Sequence, residues 1–163
     1  ETIPLEHRIP CCGFLFREKP TAPHIRRDMI DYYNIPISQV SNIKTGADWT
    51  TVDGETIPNS RLTTPADKPR SYAYCSDTRY MKHLYEKVSG VDVLYHESTY
   101  TSEHNDRART YYHSTSQEAA TVARDAAAGH YSARYPNEDT ILSEAKAIFP
   151  NSFLTNEGMV FDV

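Results

Sequence analysis

The sequence predicts an α/β layered domain, and three observations carry that prediction. Apolar runs at 71–76 and 91–96 alternate with amphipathic stretches at 79–88 and 114–127, which is the pattern of strands joined by crossover helices. A last helical stretch at 139–149 has Thr140 or Asp139 as cap and sets Ile141, Leu142, Ala145 and Ile148 along one face. A chain of 163 residues holds one such domain and is short for two.

The elements follow in order. "PLEHRIPCCGFLFREKP" alternates loosely and then runs apolar to Phe16, giving one or two strands that stop at Lys19-Pro20. Composition then changes: residues 19–60 carry four prolines, two glycines and two helical fragments near 24–33 and 37–44, so the stretch 19–53 is expected to leave the core as an inserted arm. Asp53-Gly54 marks a hairpin between "WTTV" and "ETI". After a Pro-rich loop come strand 71–76, helix 79–88, strand 91–96, a polar loop, helix 114–127 and helix 139–149, with short strands around Phe153 and Val160. No internal repeat or low-complexity tract is present.

Seventeen Lys and Arg against 22 Asp and Glu give a net charge of −5, which argues against a general electrostatic nucleic-acid binder and leaves room for a local basic site. No apolar run is long enough to cross a bilayer. "ETIPLEH" starts with Glu rather than Met and lacks the basic start and apolar centre of a secretion signal, so a processed product or a piece of a longer chain is expected. Cys11, Cys12 and Cys75 cannot all pair, and no disulfide framework is visible; a reducing cytoplasm is the expected compartment.

Ligands and reactive groups of α/β sheets collect beyond the carboxyl ends of strands. Asp77 closes "YAYCSD", and His96 with Glu97 closes "VDVLYHE". Asp77 is equally placed to cap the helix after it. In "YYHSTSQEAATVARDAA", His113 stands directly before a helix that opens with Ser114, Thr115, Ser116 and Glu118. That is either an anion site beside an imidazole or a plain cap by Ser114 or Thr115. "GHYSARYP" puts His130 and Arg134 either side of Ser132; a lone histidine of this kind is more often structural than catalytic.

Taken together, "LEH", "YCSDT", "HEST", "HSTSQEAA" and "HYSARY", in that order, with "EAKAIFPNSFLTNEGMVFDV" at the end, resemble the C-terminal half of ribonuclease Z, the tRNA 3′-processing endoribonuclease of the metallo-β-lactamase superfamily. The resemblance implies half of a four-layer αβ/βα sandwich with a protruding arm, and two Zn²⁺ in the complete enzyme. It makes His7 a ligand of one zinc, Asp77 the bridge between both and His130 a ligand of the other. Imidazole nitrogen and carboxylate oxygen suit Zn²⁺, and a carboxylate can span two metals. By the same resemblance water activated by the metals attacks a phosphodiester, His113 protonates the leaving oxygen, and Glu97 orients His113. Ser114, Thr115, Ser132 and Arg134 become contacts to phosphate or tRNA, and His96, on the opposite face from Glu97, is structural.

The chain departs from the family in three places. The HxHxDH signature is nowhere in it, so the metal site is expected to need a segment outside this sequence and the fragment alone to be inactive. "RDAAAGHYSARY" leaves little but Gly129 where the family has an apolar strand before its last histidine; about five residues are expected to be missing between Ala127 and His130. The arm's Lys19, Arg26, Arg27 and Lys44 are nearly offset by Asp28, Asp31 and Asp48, and its tip reads "NIPIS" rather than the family's Gly-Pro-rich turn. The expected function is a zinc-dependent endoribonuclease that trims precursor tRNA, as a cytoplasmic homodimer without membrane or DNA partners. The alternatives are a phosphodiesterase of the same fold for small substrates and a noncatalytic protein-binding module.

Overall fold

The structure, a computed structural model, describes residues 1–128, 130–133, 138–156 and 158–160. Along the chain, β1 (Thr2–Leu5) and β2 (Cys11–Arg17) lead into β3 (His24–Ile25), α1 (Arg27–Tyr32), α2 (Ile37–Lys44), β4 (Trp49–Thr50), β5 (Thr56–Ile57), α3 (Asn59–Leu62) and β6 (Thr63–Thr64). Then follow β7 (Ser71–Cys75), α4 (Leu84–Lys87), β8 (Val93–His96), a single 3-10 turn (Ser102–His104), α5 (Asn105–Tyr111), α6 (Ser116–Asp125), β9 (His130–Ala133), α7 (Glu138–Ile148) and β10 (Ser152–Leu154).

These elements divide into two compact units, one of residues Glu1–Arg17 and Arg70–Val163, the other Glu18–Pro69. The first holds a six-stranded sheet in the order β1-β2-β7-β8-β9-β10. β1, β2 and β7 pair antiparallel, and β7 through β10 run parallel. Alternation decides the two faces. Ile3, Leu5, Leu15, Ala73, Cys75 and Leu94 turn into a core shared with Leu84 and Val88 of α4 and Ala119, Ala120, Val122 and Ala123 of α6. The small side chains on α6 let that helix lie close against its neighbours.

The opposite face of the sheet carries no helix among the described residues. Phe14, Phe16, Tyr72, Tyr74 and Phe153 are exposed there, with Phe14 opposite Tyr74, Phe16 opposite Tyr72 and Tyr74 stacked on Tyr95 at 4.7 Å. A sheet clad in helices on one side and in aromatic rings on the other is one half of a four-layer sandwich. Cys75 lies under the helices, and burial pushes its thiol up to about 12. Cys11, Cys12 and Cys75 are all free thiols.

The second unit surrounds Ile35, Ile43, Ile57 and Leu62, against which Ile25, Met29, Ile30, Tyr33 and Trp49 pack. The Asp53-Gly54 turn joins β4 to β5 as the sequence predicts, with Gly54 at φ 84°. Asn59 ties the unit together, its side-chain amide donating to the carbonyls of Ile43 and Ala47 at 2.6 and 2.9 Å. The unit runs on to Pro69 because β6 returns to pair with β3.

Three elements differ from the sequence expectation. The helix expected at 79–88 shrinks to Leu84–Lys87, because the Arg79 amide donates to the Glu6 carbonyl at 3.0 Å and Thr78 Oγ1 accepts from the Glu6 amide. These long-range bonds hold 78–79 out of a helix. The helix expected from His24 starts only at Arg27, since His24 and Ile25 are drawn into β3. The strand expected around Val160 is absent at Met159 and Val160; residues 161–163 lie outside the described residues.

Two outcomes are expected from this packing. A Cβ at Gly13 would meet the backbone oxygen of Tyr74 well inside contact distance, so Gly13→Ala should lower unfolding free energy by about 1–3 kcal/mol in urea titrations. Glu144 of α7 accepts from the Ser102 amide at 3.0 Å, the Ser102 hydroxyl at 2.7 Å and the Ser116 hydroxyl. Burial opposes its ionisation, but these bonds outweigh burial and hold the carboxyl below its ordinary value. Stability from this group is therefore present above the ordinary carboxylate range and lost as pH falls through the lowered value. Glu144→Gln should cost about 1 kcal/mol at neutral pH and nothing at acid pH, measured by urea unfolding at both.

Candidate active site

The site forms beyond the carboxyl ends of β7 and β8 around one carboxylate. Glu97 is 6% exposed and accepts four hydrogen bonds: at Oε1 from the Thr78 amide and His113 Nδ1, each 2.8 Å, and at Oε2 from Thr99 Oγ1 at 2.7 Å and the Ser114 amide at 3.3 Å. Because a carboxylate can only accept, Nδ1 of His113 carries the proton and Nε2 is left facing outward. His113 keeps 23% of its side chain exposed.

The loop that presents His113 is locked from both sides. α5 ends with Tyr112 in the left-handed region at φ 62°, and the His113 amide closes the turn on the Ala108 carbonyl at 2.9 Å. This is a Schellman-type stop with Tyr where glycine is usual. The same twist aims the Tyr112 carbonyl at His7, whose Nδ1 donates to it at 3.0 Å. The His7 and His113 rings then stand 5.3 Å apart between centroids.

Asp77 does not cap a helix, since α4 starts only at Leu84. It adopts φ 54°, a region Asp tolerates better than most residues. Its carbonyl accepts from the Cys11 thiol at 3.1 Å, while its exposed carboxylate makes no hydrogen bond or ion pair with the described residues. Burial and the nearby Asp77 charge push the Cys11 thiol up, so this cysteine stays protonated at neutral pH.

The structure corrects two site residues. Ser114 and Thr115 are buried and their hydroxyls face inward: Ser114 Oγ donates to the Thr78 carbonyl at 2.8 Å, and Thr115 caps α6 in a full capping box with Glu118. The anion position expected at the start of α6 is filled by the chain's own carboxylates, Glu97 and Glu118. Both hydroxyl residues brace the loop instead of reaching substrate. His96 is fully buried as expected of a structural residue, its Nδ1 donating to the Glu97 carbonyl at 2.7 Å, and burial holds it below its ordinary value. Nε2 of His96 has no partner among the described residues.

His130 is not brought to the site. It opens β9, level with Val93 at the amino end of β8, whereas Glu97 follows the carboxyl end of that strand. Four residue steps separate Val93 from Glu97, about 13 Å. Gly129, Arg134 and the side chain of Ser132 lie outside the described residues, and so does the expected gap before His130. Among the described residues no group of three or more His, Cys, Asp or Glu could hold a metal ion. His7, with Nδ1 tethered to a carbonyl and Nε2 without a hydrogen bond, has the form of a metal-ligating histidine, and the free Asp77 carboxylate suits the same role. The side chain of His130 lies outside the described residues.

Sequence reasoning missed Thr78, Thr99, Tyr112 and Cys11. Their contributions come through backbone groups and long-range contacts, and only the Thr in "SDT" and in "HEST" marked them.

No protein-family model matches the chain. In fold, it is similar to the metallo-beta-lactamase fold protein YhfI from Bacillus subtilis, with 21% identity and a TM-score of 0.52 over 57% of this chain and 40% of that one. The chain thus has the architecture of the metallo-β-lactamase fold. Human tRNase Z, short form, superposes on 99% of the chain and 41% of its own length, with 17% identity and a TM-score of 0.53. The Ribonuclease Z of Phocaeicola vulgatus is 49% identical over 168 residues, covering 100% of this chain and 54% of that protein. Over its whole length the chain is thus similar to curated proteins named Ribonuclease Z, and it spans about half the length of the curated relatives it matches. The matched stretch of 168 residues also exceeds the chain's 163, so this relative carries residues that the chain lacks.

Glu97→Gln replaces one of the two acceptor oxygens by an NH₂ group, which then faces two of the four donors. The expected loss is about 2–4 kcal/mol of unfolding free energy, read in urea titrations. A loss below about 0.5 kcal/mol, the level of an ordinary surface substitution, would show that Glu97 does not hold the strand ends together.

Proposed function

We propose that this chain is part of a zinc-dependent endoribonuclease that removes 3′ trailers from precursor tRNA, with the Glu97–His113 pair as its proton donor. The 2.8 Å bond between the two carries the reading, because it fixes the imidazole tautomer and turns Nε2 toward the side where a substrate can approach. His7 and Asp77 are the metal ligands within the described residues. His130 joins them when the strand before it has the relatives' length, and the remaining ligands come from an HxHxDH segment that this sequence does not contain. Zinc, when bound, would supply Lewis acidity toward water and phosphate.

The chain's own residues do the rest. Glu97 holds Nδ1–H of His113, so Nε2 carries the proton of the imidazolium and can release it to the 3′-oxygen as its bond to phosphorus breaks. The tRNA leaves with a 3′-hydroxyl, and the trailer keeps the phosphate that gained the water oxygen. Tyr112, through its carbonyl, keeps His7 in one ring orientation during turnover. Ser132 and Arg134 are further phosphate contacts in this reading. The working form is a cytoplasmic homodimer in which the Glu18–Pro69 unit meets tRNA.

The test uses the protein that carries both this chain and the HxHxDH segment, with a precursor tRNA bearing a 3′ trailer. His113→Ala should lower kcat by about 10²–10⁴ with bound zinc unchanged. A rate equal to the parent's would overturn the assignment. Deleting the Glu18–Pro69 unit should impair precursor cleavage far more than hydrolysis of a small phosphodiester; equal losses would favour a small-substrate phosphodiesterase.

A further inference from the structure

We propose that Arg8 and Arg107, each resting on a tyrosine ring beside the His7–His113 pair, contact the phosphates of a single-stranded RNA segment. The proposal rests on the ribonuclease reading for its substrate class.

Three guanidiniums lie over aromatic rings near the histidines. Arg8 stands 5.1 Å from the centre of Tyr111, Arg79 5.1 Å from Tyr112 and Arg107 6.0 Å from Tyr100. The rings are next to the site: Tyr112 meets His7 edge-on at 6.4 Å, Tyr100 is 6.3 Å from His113, and Tyr111 adjoins Tyr112 in sequence. By these distances the Arg79–Tyr112 pair flanks His7 and the Arg107–Tyr100 pair flanks His113, while the Arg8–Tyr111 pair joins the group because Arg8 follows His7 and Tyr111 precedes Tyr112 in the chain.

The three arginines are not equivalent. Arg79 forms an ion pair with Glu6, so its charge is met within the protein and it serves to hold Tyr112. Arg8 and Arg107 are exposed and have no carboxylate partner among the described residues, although Asp106 adjoins Arg107 in sequence. In a chain of net charge −5, two exposed guanidiniums without a carboxylate partner supply a local positive charge for an anionic ligand.

Stacking shapes what these cations can bind. A guanidinium lying on a ring keeps its N–H donors in its own plane, directed away from the ring, and less side-chain freedom remains to be lost on binding. Phosphate matches that donor fork in a way that a bare ammonium does not. Tyr111 is 42% exposed and offers its remaining surface to a base, so cation and ring together suit one nucleotide of a strand. An acidic protein surface could meet the charges but would have no use for ring stacking.

The experiment measures binding of a short single-stranded oligoribonucleotide to the full protein by fluorescence anisotropy over a range of salt, beside kcat and KM for precursor tRNA. Arg8→Ala and Arg107→Ala should each weaken binding about tenfold and lower the salt slope by about 0.7–1. Arg8→Lys should keep the slope and lose part of the affinity. KM should rise while kcat stays within about twofold, with zinc content and circular dichroism unchanged. A double alanine variant that keeps the parent's affinity and salt slope overturns the proposal, and so does one that loses kcat at constant KM. Arginine-dependent RNA binding in a protein that does not cut precursor tRNA would sink the ribonuclease reading while sustaining this one.

Discussion

A single buried carboxylate, Glu97, decides the geometry of this site. It gathers the chain leaving β7 through Thr78, the chain leaving β8 through Thr99, and the entry to α6 through His113 and Ser114. Desolvating a carboxylate is costly unless its lone pairs are met. The low-cost arrangement is the one in which all these donors converge, so the loops have little freedom to sit anywhere else. The charge that orders the loops also fixes the tautomer of His113, and removing it would disturb structure and chemistry together.

The sheet's two faces explain why this length of chain can fold around that point while leaving so much aromatic surface open. On one side α6 presents Ala119, Ala120, Ala123 and Ala126, and small residues buy close approach at little conformational cost. On the other side the rings of Phe14, Phe16, Tyr72 and Tyr74 line up across β2 and β7. A contiguous apolar face of this kind calls for a covering layer.

What could be read from the sequence follows the reach of each interaction. Strands β7 and β8 and helices α6 and α7 are legible because an alternating or 3.6-residue apolar pattern repeats within each. The hairpin at Asp53-Gly54 is legible from the conformation its glycine permits. Helix α5 is not, since "NDRARTY" buries only Ala108 and shows no stripe; its stop depends on Tyr112 taking a left-handed turn that the sequence gives no sign of. The shortened α4 is hidden for another reason, because Glu6, more than seventy positions upstream, holds Thr78 out of the helix. In the site, Glu97 stands out as a polar group after an apolar run and His113 as a polar group directly before a helix, and the resemblance pairs them. The inward turn of Ser114 and Thr115 does not stand out, because serine and threonine before a helix can cap it or greet a ligand equally well.

His7 and His130, the two histidines proposed as metal ligands, are positioned in different ways. His7 is held by a carbonyl within hydrogen-bond reach, so its orientation depends on a local contact that survives small shifts elsewhere. His130 depends on register. It follows α6 directly and enters the sheet as the first residue of β9, and every residue gained or lost before it moves its backbone by about 3.3 Å along the sheet and to the other face. A loop deletion that would be harmless on the surface therefore relocates this histidine from one end of the strand to the other. A side chain delivered by the end of a strand is only as well placed as the strand is long.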